Sequence, residues 1–385
     1  MTIPKVCVVT NQYPPQWNGV ARSCSRLVQY LVEEGYDVYV IAAVYEPPKD
    51  ANTPIRANVY HTISSSTRDE LGAYVYRLET SELRDINSEL INLLIYLDTQ
   101  HRFDIFHGYW LPYAFAPIVV AGTRPVIASI RGSDANEALG RPNVYGHIEK
   151  VLEKASWITS VSSDLLQTVN SIVDISDKSS LVLNGIDTTN FPKWSFSDCH
   201  KGSVGTAGQM RFKKGIPILI NGYEKVPSSL RTQLRLIGPL QCMAEVEYMS
   251  SIVSELGIND ECICLGFMER LKLLEEICKL NVFVIPSLHD GLPNALLEAA
   301  GCGLPIVATN VGGMADILTD EENALVVDPG DTEGIGKAIA RVLRDERLAN
   351  KISRGALELA NKLNYQQEKE AWLNVYHRDP VNHSV

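Results

Sequence analysis

The residues best placed to do chemistry are two acids, Asp290 and Glu298, in the stretch PSLHDGLPNALLEAAGCGLPIVAT, residues 286–309. The stretch continues an apolar run from Val282, VFVIPS, that reads as a buried strand. Gly291, Leu292 and Pro293 then shape a tight turn. Pro293 suits the first position of a helix, where its missing N–H is not needed, so the helix starts near Asn294. The free N–H groups and the dipole of such a start form a site for an anion such as a diphosphate. Glu298 falls in the second turn, where a carboxylate can accept both hydroxyls of a ribose, and Asp290 stands in the loop at the mouth. A second stretch, VGTAGQMRFKKGIPILI at 204–220, leaves a strand through a glycine-rich loop carrying three cations, Arg211, Lys213 and Lys214.

Three segments of the first half sit in comparable places. The loop QYPPQWNGVARS, 12–23, joins the first apolar run to a helix, and Gly19 at the helix start lets a ligand approach the backbone closely. DIFHGYW, 104–110, is a strand that carries His107 near its end, and RGSD, 131–134, follows another strand with Arg131 and Asp134. Each has a plain structural alternative: a turn glycine, a satisfied core histidine and an Arg–Asp pair.

These residues have to be positioned by the elements around them. KVCVVT from Lys5 is continuously apolar, as a strand covered on both faces should be. A helical period follows from Val20 to Glu34, then a strand DVYVIAA from Asp37, so the chain opens βαβ. Further strands are expected from Asp104, Pro125, Trp157 and Ser180. The stretch 191–203, FPKWSFSDCHKGS, has no period and reads as a linker. The alternation then restarts, with strands from Ser203, Gln233, Cys262, Val282, Pro305 and Ala324, and from Thr332 to about His377 only helices are expected. This predicts an α/β protein of two doubly wound domains, 1–194 and 195–363. Ligands of such sheets lie beyond the carboxyl ends of the strands, where every motif above falls.

The 286–309 segment closely resembles the donor-sugar motif of the retaining glycosyltransferases of family 4, which have the GT-B fold. In that motif two acids are separated by seven positions, the first followed by Gly and often Pro, with a Glu-Ala pair, Gly-x-Pro and an apolar strand behind. Asp290, Gly291, Pro293, Glu298, Ala299, Gly303 and Pro305 stand in register with it. The family usually has Glu at the first position, and Asp290 is one methylene shorter. Lys214-Gly215 resembles the family's Lys-Gly, whose Lys holds the donor diphosphate together with an Arg some five residues earlier. That Arg position is Gln209 here, and Arg211 is the nearby candidate to replace it. DIFHGYW resembles a strand ending in His-x-His, which makes His107 a candidate for the donor sugar, and RGSD resembles an Arg-Gly-x-Asp loop, which puts Arg131 and Asp134 on the acceptor side. LGFM, 265–268, stands where the family holds the nucleotide base, through Gly266 and Met268, while Asn18 replaces one of two glycines usual beside Gly19. VLNGID from Val182 and VGGMAD from Val311 are similar to two further family turns.

The resemblance implies two Rossmann-like domains facing a central cleft, the acceptor on the first and the sugar nucleotide on the second. The terminal helix, about 364–385, would return to the first domain. The implied reaction transfers a hexosyl group, with retention, from a nucleoside-diphosphate sugar to a hydroxyl of a glycan, glycolipid or other acceptor. UDP-sugars are favoured over GDP-mannose. No Asp-x-Asp is present to hold Mg²⁺ or Mn²⁺ on phosphates, so no metal or other cofactor is expected. A sugar-nucleotide epimerase and a nucleotide-sugar-binding protein without turnover are the alternatives. The 385 residues carry 35 Lys and Arg against 46 Asp and Glu, a net charge of −11 spread over both halves. That composition argues against nucleic acid as a partner and gives no basic patch for an anionic membrane, leaving weak contact through an amphipathic helix open. The eight cysteines are scattered, and the Cys262–Cys264 pair has neither zinc-ligand nor redox spacing; Cys7 and Cys264 read as core residues. Reduced thiols and the absence of a secretory signal or a long apolar run give a cytoplasmic expectation. The sequence does not address oligomeric state.

Overall fold

The computed structural model describes residues 3–15, 18–45, 63–80, 86–136, 140, 142–240 and 242–378. They form two compact units, one of 1–182 with 369–385 and one of 183–368.

The first unit is built on an eight-stranded sheet: β1 Lys5–Thr10, β2 Asp37–Tyr45, β3 Ile63–Arg68, β4 Tyr74–Thr80, β5 Ile105–Gly108, β6 Val126–Ile130, β7 Trp157–Ser160 and β8 Ser179–Leu181. Their order is β3-β4-β2-β1-β5-β6-β7-β8. Every pairing is parallel except β3 with β4. Helices cover the parallel strands, which is why β6 is buried throughout and β1 from Val6 to Thr10. Cys7, Val9, Ile41 and Phe106 of the sheet pack with Leu90 and Leu94 of helix Ile86–His101. Order changes direction between β1 and β5, so the loop after β1 and the end of β5 flank the switch point.

The second unit has β9 Ser203–Ala207, β10 Gln233–Ile237, β11 Cys262–Gly266, β12 Val282–Ile285, β13 Ile306–Thr309 and β14 Leu325–Val327. All are parallel, in the order β11-β10-β9-β12-β13-β14, which is the doubly wound arrangement 3-2-1-4-5-6 with its switch point between β9 and β12. Val204, Val282, Val284 and Val307 of the sheet pack with Leu219, Ile220, Ile335 and Ile339 of two helices.

Three features differ from the expectation. The division falls after Val182, not Trp194, because 183–194 is bound to the second unit: Asn184 donates to the Leu292 carbonyl (3.0 Å), Ile186 N–H to Leu363 (2.8 Å), and the Trp194 indole to Leu280 (2.8 Å). Strand β4 and helix Ile86–His101 lie where pattern reading named no element, with Ile95 and Tyr96 of that helix left exposed and its apolar residues spread round it. Cys264 is exposed on edge strand β11 instead of lying in the core, while Cys7 is fully buried. The terminal helix Tyr365–Tyr376 runs into the part assigned to the first unit, and the expected continuation over 379–385 lies outside the described residues.

Candidate active site

In the second unit the loops leaving β9 and β12 meet at the switch point. The β9 loop runs from Gly208 through a short 3₁₀ turn, Phe212–Lys214, to Gly215 and helix Ile216–Lys225. The β12 loop runs from Pro286 to Pro293. Gly215 has φ +69°, and a Cβ there would lie 1.8 Å from the Pro286 carbonyl oxygen, so only glycine lets the two loops touch. The Leu288 N–H donates to the Lys213 carbonyl at 2.9 Å, and the Thr309 hydroxyl at the end of β13 donates to the Ser287 carbonyl at 2.6 Å. Gly312, φ +52°, makes the same kind of close approach to the Asp290 carbonyl.

This stitching sets Lys214 against Asp290. The Lys214 ammonium donates to Asp290 Oδ2, and the Gly291 N–H donates to Oδ1 at 3.0 Å. Both side chains are partly buried. The residues assigned to phosphate and to sugar are thus an ion pair in this structure. Gly291 and Leu292 are buried, their carbonyls taken by Gly313 N–H and by Asn184. Helix Asn294–Cys302 starts where expected, with Pro293 as its N-cap and not its first residue, and no side chain caps that helix start. Arg211 is half-buried at the entry to the 3₁₀ turn, and no ion pair or side-chain hydrogen bond engages it among the described residues. Gln209 is also half-buried.

Glu298 lies on the same helix, 4% exposed, with Oε1 3.6 Å from Arg270 Nε. Gly266, φ +67°, ends β11, and Met268 is half-buried beyond it, two residues before Arg270. Lys214, Arg211, Asp290, Gly291, Leu292, Pro293, Asn294, Glu298, Gly266 and Met268 therefore all belong to the second unit, on segments that follow β9, β11 and β12.

Gly19, His107, Arg131 and Asp134 belong to the first unit. Gly19 is exposed at the first position of helix Gly19–Glu33, and Asn18 caps that helix, its side chain accepting the Ala21 N–H at 2.9 Å. The cap gives the physical reason for Asn at a position where the family usually has Gly. His107 is fully buried. Its Nδ1 lies 2.6 Å from the Tyr376 hydroxyl and its Nε2 2.7 Å from Ser129 Oγ, which in turn lies 2.7 Å from Thr159 Oγ1. Both ring nitrogens are used inside the unit, so His107 offers neither to a sugar here, and the satisfied core histidine describes it. Burial, helped by the charge of Arg131, pushes its pKa down to about 3. Asp134 is likewise fully buried. Its carboxylate accepts the backbone N–H groups of Leu111, Arg131 and Gly132 at 2.7–3.1 Å, which shapes the loop and leaves it no acceptor-facing oxygen. Burial raises its pKa against those hydrogen bonds. The Arg131 guanidinium lies over the Tyr109 ring, 4.8 Å from its centroid, and 6.0 Å from that of Trp372.

Sequence reasoning missed Arg270 beside Glu298, and Tyr376 and Ser129 as partners of His107. Each contact joins elements far apart in the chain and leaves no periodic trace. The Asn18 cap was legible, since Asn before a helical period is a standard N-cap. Among the described residues no group of three or more His, Cys, Asp or Glu converges as metal ligands would, and no helix is long and apolar enough to cross a membrane.

Comparison with known proteins identifies the family and the fold. Residues 193–359 match the family model of glycosyl transferases group 1, and residues 17–190 match that of glycosyltransferase family 4. An uncharacterized glycosyltransferase of Methanocaldococcus jannaschii is 25% identical over 97% of this chain and 97% of its own. The N-acetyl-alpha-D-glucosaminyl L-malate synthase of Bacillus anthracis is 23% identical over 67% of this chain and 70% of its own. Among solved structures, sucrose-phosphate synthase from Thermosynechococcus elongatus superposes with a TM-score of 0.81 at 16% identity, covering 97% of this chain and 98% of that one. Anabaena HepE in complex with UDP-glucose gives 0.76 at 15% identity, covering 97% and 99%. The chain belongs to the group 1 glycosyltransferases, and its two parallel-sheet units are the Rossmann-like halves of a GT-B fold.

Proposed function

We propose that the enzyme transfers a hexosyl group, with retention and without a metal, from a UDP-sugar to a hydroxyl acceptor, the donor binding to the second unit and the acceptor to the first. The observation that carries this reading is the meeting of Lys214, Asp290 and the uncapped start of helix Asn294–Cys302 at the switch point. Departure of a nucleoside diphosphate builds negative charge on its oxygens. Lys214, with Arg211 as the second cation and the helix start as a dipole, stabilises that charge where it develops. The bound diphosphate takes Lys214 from Asp290, and the released carboxylate turns to the sugar hydroxyls. Glu298 accepts the ribose hydroxyls, the backbone from Gly291 to Asn294 lies along the phosphates, and Gly266 and Met268 flank the base. In the first unit Gly19 gives a close approach to the backbone, while His107 and Asp134 hold the fold around Arg131. UDP is favoured over GDP because solved structures of the same fold are complexes with UDP-glucose and UDP-2-fluoro glucose. A reducing compartment such as the cytoplasm suits eight cysteines that are all free thiols.

The test is a panel of UDP- and GDP-sugars. Binding to the native state raises the melting temperature, and the best binder is then offered to a set of hydroxyl acceptors. Proton NMR of the product should show the anomeric configuration of the donor. An inverted product overturns retention, and a panel with no binder overturns the donor site itself.

A further inference from the structure

Glu298 is a nearly buried carboxylate whose orientation decides whether it can meet a ribose. The helix it stands on, Asn294–Cys302, also carries Gly301 one turn later on the same face. A Cβ at Gly301 would come within 3.0 Å of two atoms of the Phe191 ring and 2.7 Å of Thr188 Cγ2, so the missing side chain is the seat of that ring. The Arg270 guanidinium lies over Phe191, 5.2 Å from the ring centroid, and its Nε stands 3.6 Å from Glu298 Oε1. Arg270 also helps hold the Asp187 carboxyl below its usual range, after the stronger hydrogen bonds from Thr189. The contacts close a circuit within the second unit: helix to Phe191, Phe191 to Arg270, Arg270 back to the helix at Glu298.

We infer that Arg270 is a positioning residue for Glu298, and that Phe191, seated on Gly301, sets the position of Arg270. The inference rests on the reading of Glu298 as the ribose acceptor and names what tunes it. The distance of 3.6 Å is an ion contact and not a hydrogen bond, so the guanidinium steers the carboxylate by charge. Arg270 remains 41% exposed at the side chain while Glu298 is 5% exposed, so the cation has no burial of its own to satisfy. A flat, delocalised guanidinium fits this task because it lies on the Phe191 face and presents its edge to the acid, which an ammonium does not do. Phe191 lies in 183–194, the segment that enters the second unit, so that segment contributes to nucleotide affinity without touching nucleotide.

The experiment measures binding of UDP and 2′-deoxy-UDP, and of GDP and 2′-deoxy-GDP, to wild type, Glu298→Ala, Arg270→Ala, Arg270→Lys and Phe191→Leu by calorimetry. Wild type should prefer the ribonucleotide of the matching base by about tenfold or more, the scale of one hydrogen bond to a charged group. Glu298→Ala should erase that preference. Arg270→Ala should lose most of it, Arg270→Lys should recover part, and added methylguanidinium should restore it to Arg270→Ala. Phe191→Leu should reduce it, and the double variant Phe191→Leu with Arg270→Ala should discriminate no less than Arg270→Ala alone. A general loosening of the fold lowers affinity for both nucleotides equally and leaves their ratio unchanged, so the ratio separates positioning from damage. A full preference in Arg270→Ala overturns the inference while the ribose reading stands. Absence of any preference in wild type, or of any binding by UDP and GDP, overturns the ribose reading and the inference with it.

Discussion

His107 yields the sharpest stability prediction, because its surroundings are closed. Tyr376 and Ser129 occupy both ring nitrogens, Tyr109 and Trp372 lie beside the ring, and Arg131 is the nearby charge. The folded protein holds the imidazole neutral down to about pH 3, whereas in the unfolded chain it takes a proton near its ordinary 6.5. The folded pKa is depressed, so between those values the unfolded state binds the extra proton and stability falls as the pH falls. Each pH unit of that window is worth about 1.36 kcal/mol, so going from about pH 7 to about pH 4.5 removes roughly 2–3 kcal/mol through this one residue. The assay is urea unfolding of both proteins, wild type and His107→Gln, at both pH values in a Trp194→Phe background, followed by tryptophan emission, so that Trp110, Trp157 and Trp372 report on the first unit without the indole of the second. His107→Gln is expected to be less stable at neutral pH, since it disturbs a buried hydrogen-bonded pair, but its loss on acidification should be smaller than that of wild type by that amount. Equal losses in the two proteins would show that His107 titrates normally and that the ring is open to water.

The remaining predictions concern the second unit and the reaction. Lys214→Ala should lower turnover about 10²–10³-fold, the scale for one preorganised charge-stabilising donor, with donor KM changed far less. Arg211→Ala should cost nearly as much, and the double variant less than the product of the two, because both act on one diphosphate; an Arg211→Ala effect within about twofold assigns Arg211 to the surface. Gly215→Ala puts a methyl group against the Pro286 carbonyl at a positive φ and should destabilise the second unit by more than about 1 kcal/mol, and an unchanged melting temperature would refute the loop contact. Glycosyl transfer should survive excess chelator, whereas loss of activity that Mg²⁺ or Mn²⁺ restores would refute cationic side chains as the stabilisers of the leaving group.

What the sequence by itself determined is everything carried by local pattern. Apolar runs marked β1 and β12 because strands covered on both faces have little polar side. The restart of the alternation after the aperiodic stretch announced two βα units, and turn glycines with a following helix period placed Lys214, Asp290 and Glu298 beyond strand ends. Strand β4 escaped because Arg77 and Glu79 break its apolar character, and helix Ile86–His101 because its apolar residues do not keep to one side. The tertiary structure alone decided which residues meet. Lys214 and Asp290 are 76 positions apart and pair because a glycine lets one loop touch another's carbonyl. His107 became a core residue because Tyr376, 269 positions away, fills one side of its ring. Arg270 reached Glu298 over Phe191, which opens the aperiodic stretch 191–203. Periodicity records which face of an element is buried, and it carries no information on which distant side chain that face is buried against.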